Sequence, residues 1–64
     1  MNTSKKEMLE KRAASLVASS MVMLELGLET VPNDKELAKL YFDISKALAE
    51  RANIAARKAE REEA

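Results

Sequence analysis

The sequence predicts an all-α protein: an antiparallel two-helix hairpin, helix about 5–26, loop about 27–33, helix about 34–60, that self-associates, most simply as a dimeric four-helix bundle. Three observations predict it. The one glycine and the one proline, Gly27 and Pro32, sit close together near the middle of 64 residues and divide a chain otherwise free of helix breakers. Cap signals stand ahead of each half. On both sides of the break, apolar residues recur at the three-and-four spacing of an amphipathic helix.

The first helix has a readable start. Ser4 followed by Glu7 fits a capping box, in which side chains satisfy backbone N–H groups that the first turn leaves unpaired. Its stop is expected at Gly27, where a left-handed C-cap would close the apolar run. Pro32 prevents one continuous helix, and the connection is short enough to make the two helices antiparallel neighbours. Asn33, with Glu36 three residues on, reads as the N-cap of the second helix, and Asp34 adds charge that the helix dipole favours. From there Ala, Leu, Lys, Glu and Arg dominate. Residues 1–64 form a single domain, with 1–4 and about 58–64 expected to fray.

At about 100° per residue, Leu37, Leu40, Tyr41, Ile44 and Leu48 share one arc of the second helix, continued by Ala52, Ala55 and Ala59. The matching arc of the first helix is Leu9, Ala13, Leu16, Val17, Ser20, Met21, Leu24 and Leu28. These two stripes are the expected hairpin seam. Folding back about residue 30 would set Leu24 near Leu37, Val17 near Ile44, Ala13 near Leu48 and Leu9 near Ala52. Ala18, Val22, Met23, Leu26 and Phe42 fall at or beyond the borders of those arcs, and one partner helix cannot cover them all. They are the expected contacts with a second copy or a different protein.

Size strengthens that expectation. Ordering a chain costs about 1.5 kcal/mol per residue, so some 50 ordered residues need roughly 3,000 Å² of apolar burial at about 25 cal/mol/Å² to break even. Two helices rarely bury that much. Small folds add disulfides, a metal or a partner chain, and this sequence holds no Cys and no His, so association remains.

Net charge is zero, yet its distribution is uneven. A hairpin gathers Lys5, Lys6, Lys11, Arg12, Arg51, Arg57 and Lys58 at its open end, a possible basic patch. Glu25, Glu29, Asp34 and Glu36 gather at the loop end. Two hairpins set antiparallel would pair unlike poles, which gives orientation more than affinity. The only aromatics are Tyr41 and Phe42, so the ring platforms and basic stripes of strong nucleic-acid binders are lacking.

Ala13 to Leu24 carries no charge, but twelve residues span about 18 Å, short of a bilayer's hydrocarbon core of about 30 Å. No membrane span is expected. Lys5 and Lys6 precede that run, but Glu7 and Glu10 intervene and no small-x-small cleavage site follows, so a cytoplasmic protein is expected rather than an exported one.

Nucleophile–base pairs built on Ser–His or Cys–His, and His-containing metal sites, are excluded by composition. One glycine cannot build a phosphate-cradling loop. The carboxylate pairs Glu7 with Glu10 and Glu60 with Glu63 sit among lysines and arginines and read as helix-surface salt bridging. Tyr41 reads as a core tyrosine. The expectation is a non-enzymatic protein–protein interaction module with no cofactor, metal or small-molecule substrate: a regulator, inhibitor, adaptor or small chaperone.

Two resemblances bear on this. In architecture the predicted dimer resembles the plasmid-encoded Rop-type four-helix bundles that hold paired RNA loops, which implies an alternative role as a dimeric nucleic-acid-binding regulator. Pro32-Asn33-Asp34 with Leu37 and Tyr41 resembles the turn and second helix of type III secretion needle subunits over some fifteen residues. That family's apolar C-terminus is replaced here by Ala59-Glu60-Arg61-Glu62-Glu63-Ala64. The small hairpin co-chaperones of those secretion systems resemble this chain in size and shape, implying a further alternative in which it binds a partner helix.

Overall fold

The structure, a computed structural model, describes residues 4–62. It is an all-helical hairpin: α1 spans Lys5–Thr30 and α2 spans Lys35–Arg61, packed against each other along their length. Ser4 caps α1, its hydroxyl oxygen accepting from the Glu7 N–H at 3.1 Å, so this residue of the expected frayed end is part of the helix start. At the far end α2 continues to Arg61, and Ala59, expected in a solvated tail, is buried. The rest of both expected frayed ends, residues 1–3 and 63–64, lies outside the described residues.

Helix α1 runs about one turn further than the sequence reading placed it. Gly27 is not a left-handed cap: it has no positive φ and sits inside the helix. Its missing side chain serves packing instead. The Phe42 ring lies over it so closely that a Cβ built on Gly27 would stand 2.6 Å from Phe42 Cδ1 and 3.1 Å from Cζ. The helix stops at Pro32, which has no N–H to continue the ladder; Val31 before it still holds helical geometry and donates to the Gly27 carbonyl. The Thr30 hydroxyl donates to the Leu26 carbonyl at 2.6 Å. The Thr30 carbonyl accepts from the N–H groups of Asn33 and Asp34 at 3.0 and 2.8 Å. Asp34, not Asn33, is the N-cap of α2, its Oδ1 accepting from the Leu37 N–H at 3.0 Å. The carboxylate adds charge beside the helix N-terminus that the Asn33 amide would not.

The longer α1 shifts the pairing. Residues expected to meet about a turn at residue 30 are replaced by Gly27 with Phe42, Ser20 with Ser45, and Lys5 with Glu62. The seam changes face as well as register. On α2 the buried residues are Ala38, Ser45, Ala52, Ala55 and Ala59, with Tyr41 and Leu48 half-buried between them. On α1 the inward set is Leu9, Ala13, Leu16, Ser20, Met23, Gly27 and Thr30, all half-buried except the fully buried glycine. Both sets alternate steps of three and four and repeat every seven, the period that keeps two helices in register. Small residues hold one of the two positions throughout: Ala13, Ser20 and Gly27 on α1, and Ala38, Ser45, Ala52 and Ala59 on α2. They let the main chains approach so closely that the Ser45 hydroxyl donates to the Ser20 carbonyl on the other helix at 2.7 Å.

Seven residues expected in the seam are therefore outside it. Val17, Met21, Leu24, Leu28, Leu37, Leu40 and Ile44 are each at least 40% exposed. Each helix carries two stripes of identical spacing, and the smaller-residue stripe is the one turned inward. The result is a slab 48 × 21 × 10 Å, one helix thick.

Gly27→Ala tests the close approach. Alanine gains about 1 kcal/mol in helix propensity over glycine, but overpacking against the ring costs about 1–3 kcal/mol. Gly27→Ala is expected to lower the thermal midpoint, measured at one fixed protein concentration. In a Phe42→Ala background the same change is expected to raise it; a rise in both backgrounds would show that the ring does not restrain this site. Asp34→Ala is expected to cost about 1 kcal/mol and Asn33→Ala a few tenths, and equal effects in urea titrations would contradict the cap assignment.

Candidate protein-interaction faces

A one-layer slab has two broad faces, and the helical repeat sends the second stripe of each helix to opposite ones. Stepping about 100° from the seam on α1 reaches Val17 and Leu24, flanked by Met21 and Leu28. The part of α2 on this side contributes Phe42, Ala49 and Ala56. This is termed the Val17 face. The opposite side carries Val22 and Leu26 from α1 with Leu37, Leu40, Ile44 and Ile54 from α2, and is termed the Ile44 face. Shallow grooves beside the seam fix the sides independently. One is lined by Leu9, Arg12, Leu16, Arg51, Ile54, Ala55 and Lys58. The other is lined by Lys6, Glu10, Ala13, Ala56, Ala59 and Glu60.

Both grooves lie toward the open end, yet their charges differ. The Ile44-face groove holds three cations, Arg12, Arg51 and Lys58, and no acid. The Val17-face groove holds Glu10 and Glu60 against Lys6. The expected basic patch is thus divided. Arg12, Arg51 and Lys58 come together, and Lys6 lies on the other side. Lys11 and Arg57 are exposed on the outer edges. Lys5 pairs with Glu62 Oε1 at 3.1 Å, an exposed bond contributing under about 1 kcal/mol.

The five residues expected to contact a partner are also redistributed. Ala18 is exposed on the outer edge of α1 and Val22 on the Ile44 face. Leu26 is half-buried at the edge of the same face. Met23 turns into the seam. Phe42, assigned to an outer surface, packs inside the hairpin on Gly27 and keeps only part of its ring exposed. These displacements share one cause: turning the seam moves every other residue on the helices with it. The seven-residue recurrence of small side chains, Ala13, Ser20 and Gly27 with Ala38, Ser45, Ala52 and Ala59, is the sequence signal that marks this seam.

Among the described residues no group of three or more Cys, His, Asp or Glu could hold a metal ion, and no buried side-chain polar atom lacks a hydrogen-bond partner. Nothing polar is held in reserve by the seam. By length and composition alone α1 is long and apolar enough to cross a bilayer, with an 18-residue window of mean hydropathy 1.2. The uncharged run Ala13 to Leu24 is twelve residues long, whereas the helix that contains it has 26. Core helices and signal sequences pass the same test, so the property assigns no location. The chain matches no protein-family model, no curated protein and no solved structure.

Proposed function

We propose that this chain is a small, non-enzymatic protein–protein interaction module that works as a self-associating hairpin. Two copies form a four-helix bundle with the loop of one beside the termini of the other. One observation carries the reading: the hairpin fully buries only its smallest residues and leaves most of its large aliphatic ones exposed. The buried set is Gly27, Ala38, Ser45, Ala52, Ala55 and Ala59, whereas Met21 is 57%, Leu28 60% and Leu40 59% exposed. Each large aliphatic side chain taken fully out of water is worth about 1.5–3 kcal/mol, and a lone hairpin leaves much of that unused.

The shape agrees with this. The chain exposes 5248 Å², against about 4,100 Å² for a compact monomer of its mass. Its radius of gyration is 14.8 Å, against about 11 Å for a compact domain of this length. A second slab on one broad face moves both quantities toward those of a compact protein. Charge supports the antiparallel orientation, since the open end gathers most of the basic residues and the loop end is net acidic, with Glu25, Glu29, Asp34 and Glu36 against Lys35 and Lys39.

Sedimentation equilibrium is expected to give a dimer at micromolar concentration, with a thermal midpoint that falls on dilution. A monomer that melts cooperatively at a concentration-independent temperature would refute the proposal.

A second reading is favoured by the groove of Arg12, Arg51 and Lys58, which has no acid in its lining. On that reading the dimer is a nucleic-acid-binding regulator of Rop-like architecture. Structured RNA would then bind with an affinity that drops steeply between about 50 and 200 mM salt, and Arg51→Glu would abolish binding. Undetectable or salt-insensitive binding removes this reading.

A further inference from the structure

The two broad faces are not equivalent as sites for a second copy. Stacking two slabs with the loop of one beside the termini of the other requires a two-fold axis perpendicular to the helices. Each α1 then lies antiparallel on the other α1, and each α2 on the other α2. A face that pairs this way must read sensibly in both directions.

The Val17 face does. On α1 its stripe is centred near residue 19, so reversal sets Val17 against Met21 and Ala14 against Leu24. On α2 it is centred on Ala49, so reversal sets Phe42 against Ala56, Lys46 against Asn53 and Lys39 against Glu60. The small alanines thus receive the large leucine and the ring. Leu28 meets the stem of Glu10, whose carboxylate is left beside the Lys39 that approaches Glu60. The two centres must also fall at one height. In this hairpin Ser20 stands beside Ser45 and Lys5 beside Glu62, which places residue 19 level with about residue 47. Helical side chains lean about one residue toward the N-terminus, in opposite directions on antiparallel helices, and that lean closes the remaining gap to Ala49.

Reversing the Ile44 face gives a poor match. At the same centres it sets Arg12 over Leu26 and Lys58 over Leu40, and brings Arg51 over Ala47 beside the Arg51 of the other copy. Cations would be drawn from water onto apolar side chains, with Glu29 as the only acid on that face near the loop. The available area is sufficient on either side: a face of 48 × 21 Å offers on the order of 1,000 Å², against about 800 Å² per partner in a standard stable interface. Charge and residue size therefore decide the matter.

From this we infer that the second copy docks on the Val17 face, with the axis passing close to Ala49 and Lys39 of each copy set against Glu60 of the other. The inference depends on the antiparallel dimer proposed above and specifies its surface. The Ile44 faces remain outside the bundle.

Cysteine scanning tests the choice directly, because the chain contains no cysteine. In the full-length protein, Ala49→Cys is expected to link copies efficiently with a short bismaleimide, and Ala47→Cys, exposed toward the Ile44 face, is not. A charge exchange checks the rim. Lys39→Glu is expected to weaken self-association about tenfold in sedimentation, with Lys39→Glu combined with Glu60→Lys restoring it. Arg51→Glu should leave it unchanged. A monomer at every concentration would sink the dimer itself. A dimer that links in the Ala47→Cys variant and not in the Ala49→Cys variant, or one weakened by Arg51→Glu with no rescue of Lys39→Glu, would leave the dimer standing and overturn the face.

Discussion

The close approach of two main chains over a ladder of small residues governs the molecule. Ala13, Ser20 and Gly27 on one helix, and Ala38, Ser45, Ala52 and Ala59 on the other, repeat every seven residues. Side chains of at most two heavy atoms are what allow a serine hydroxyl to reach a carbonyl of the opposite helix and a phenyl ring to sit where Gly27 has no Cβ. The ladder specifies register well. It stabilises weakly, since alanine removes little apolar surface from water and hydrophobic stabilisation scales with area.

From that ladder the division of the surface follows. Two helices joined by a tight turn present one seam and two broad faces, and rotation of each helix to bury its small stripe carries the large stripe outward. On α1 the large stripe goes to one side and on α2 to the other, so both faces are partly apolar and neither is wholly so. Charge then separates them. Near the termini one groove is cationic and the other carries two glutamates against one lysine. The loop end holds a local conflict as well: α1 has no basic residue in its last turn, and Glu25 and Glu29 lie near its C-terminus, where the helix dipole disfavours negative charge. Basic residues at the open end of an antiparallel copy would offset it.

Much of this architecture was legible in the sequence. Two helices, their antiparallel order, the Ser4 cap and the role of Pro32 all follow from local chemistry, because caps and prolines act within a single turn. The position of the seam was not legible from hydrophobicity. Leu9, Leu16, Tyr41 and Leu48 lie on the inward stripe and were read so, but Val17, Met21, Leu24, Leu37, Leu40 and Ile44 belong to a second stripe of the same period and larger side chains. Periodicity cannot choose between two stripes that both satisfy it. Preferring the bulkier one assumes that the chain must solve its burial problem alone. Gly27 was misread for a related reason: a lone glycine near a turn signals a cap from one helix's viewpoint, whereas its actual use appears only when the opposite helix brings Phe42. The candidate surfaces inherited the error, since turning the seam moves Phe42 and Met23 inward and divides the lysines and arginines between two sides.

Joined through their Val17 faces, two slabs would form a bundle two helices thick whose outer surfaces are the two Ile44 faces, related by the two-fold axis and pointing away from each other. Each would carry a loop-end apolar patch of Val22, Leu37, Leu40 and Ile44 and, farther along, a groove with three cations. The dimer would then present this surface twice, in opposite directions. Two such sites on one rigid body favour partners that are themselves paired or repeated, because the second contact forms at an effective concentration set by the bundle rather than by bulk solution. Dilution of such a dimer would remove the covering layer and the second site together.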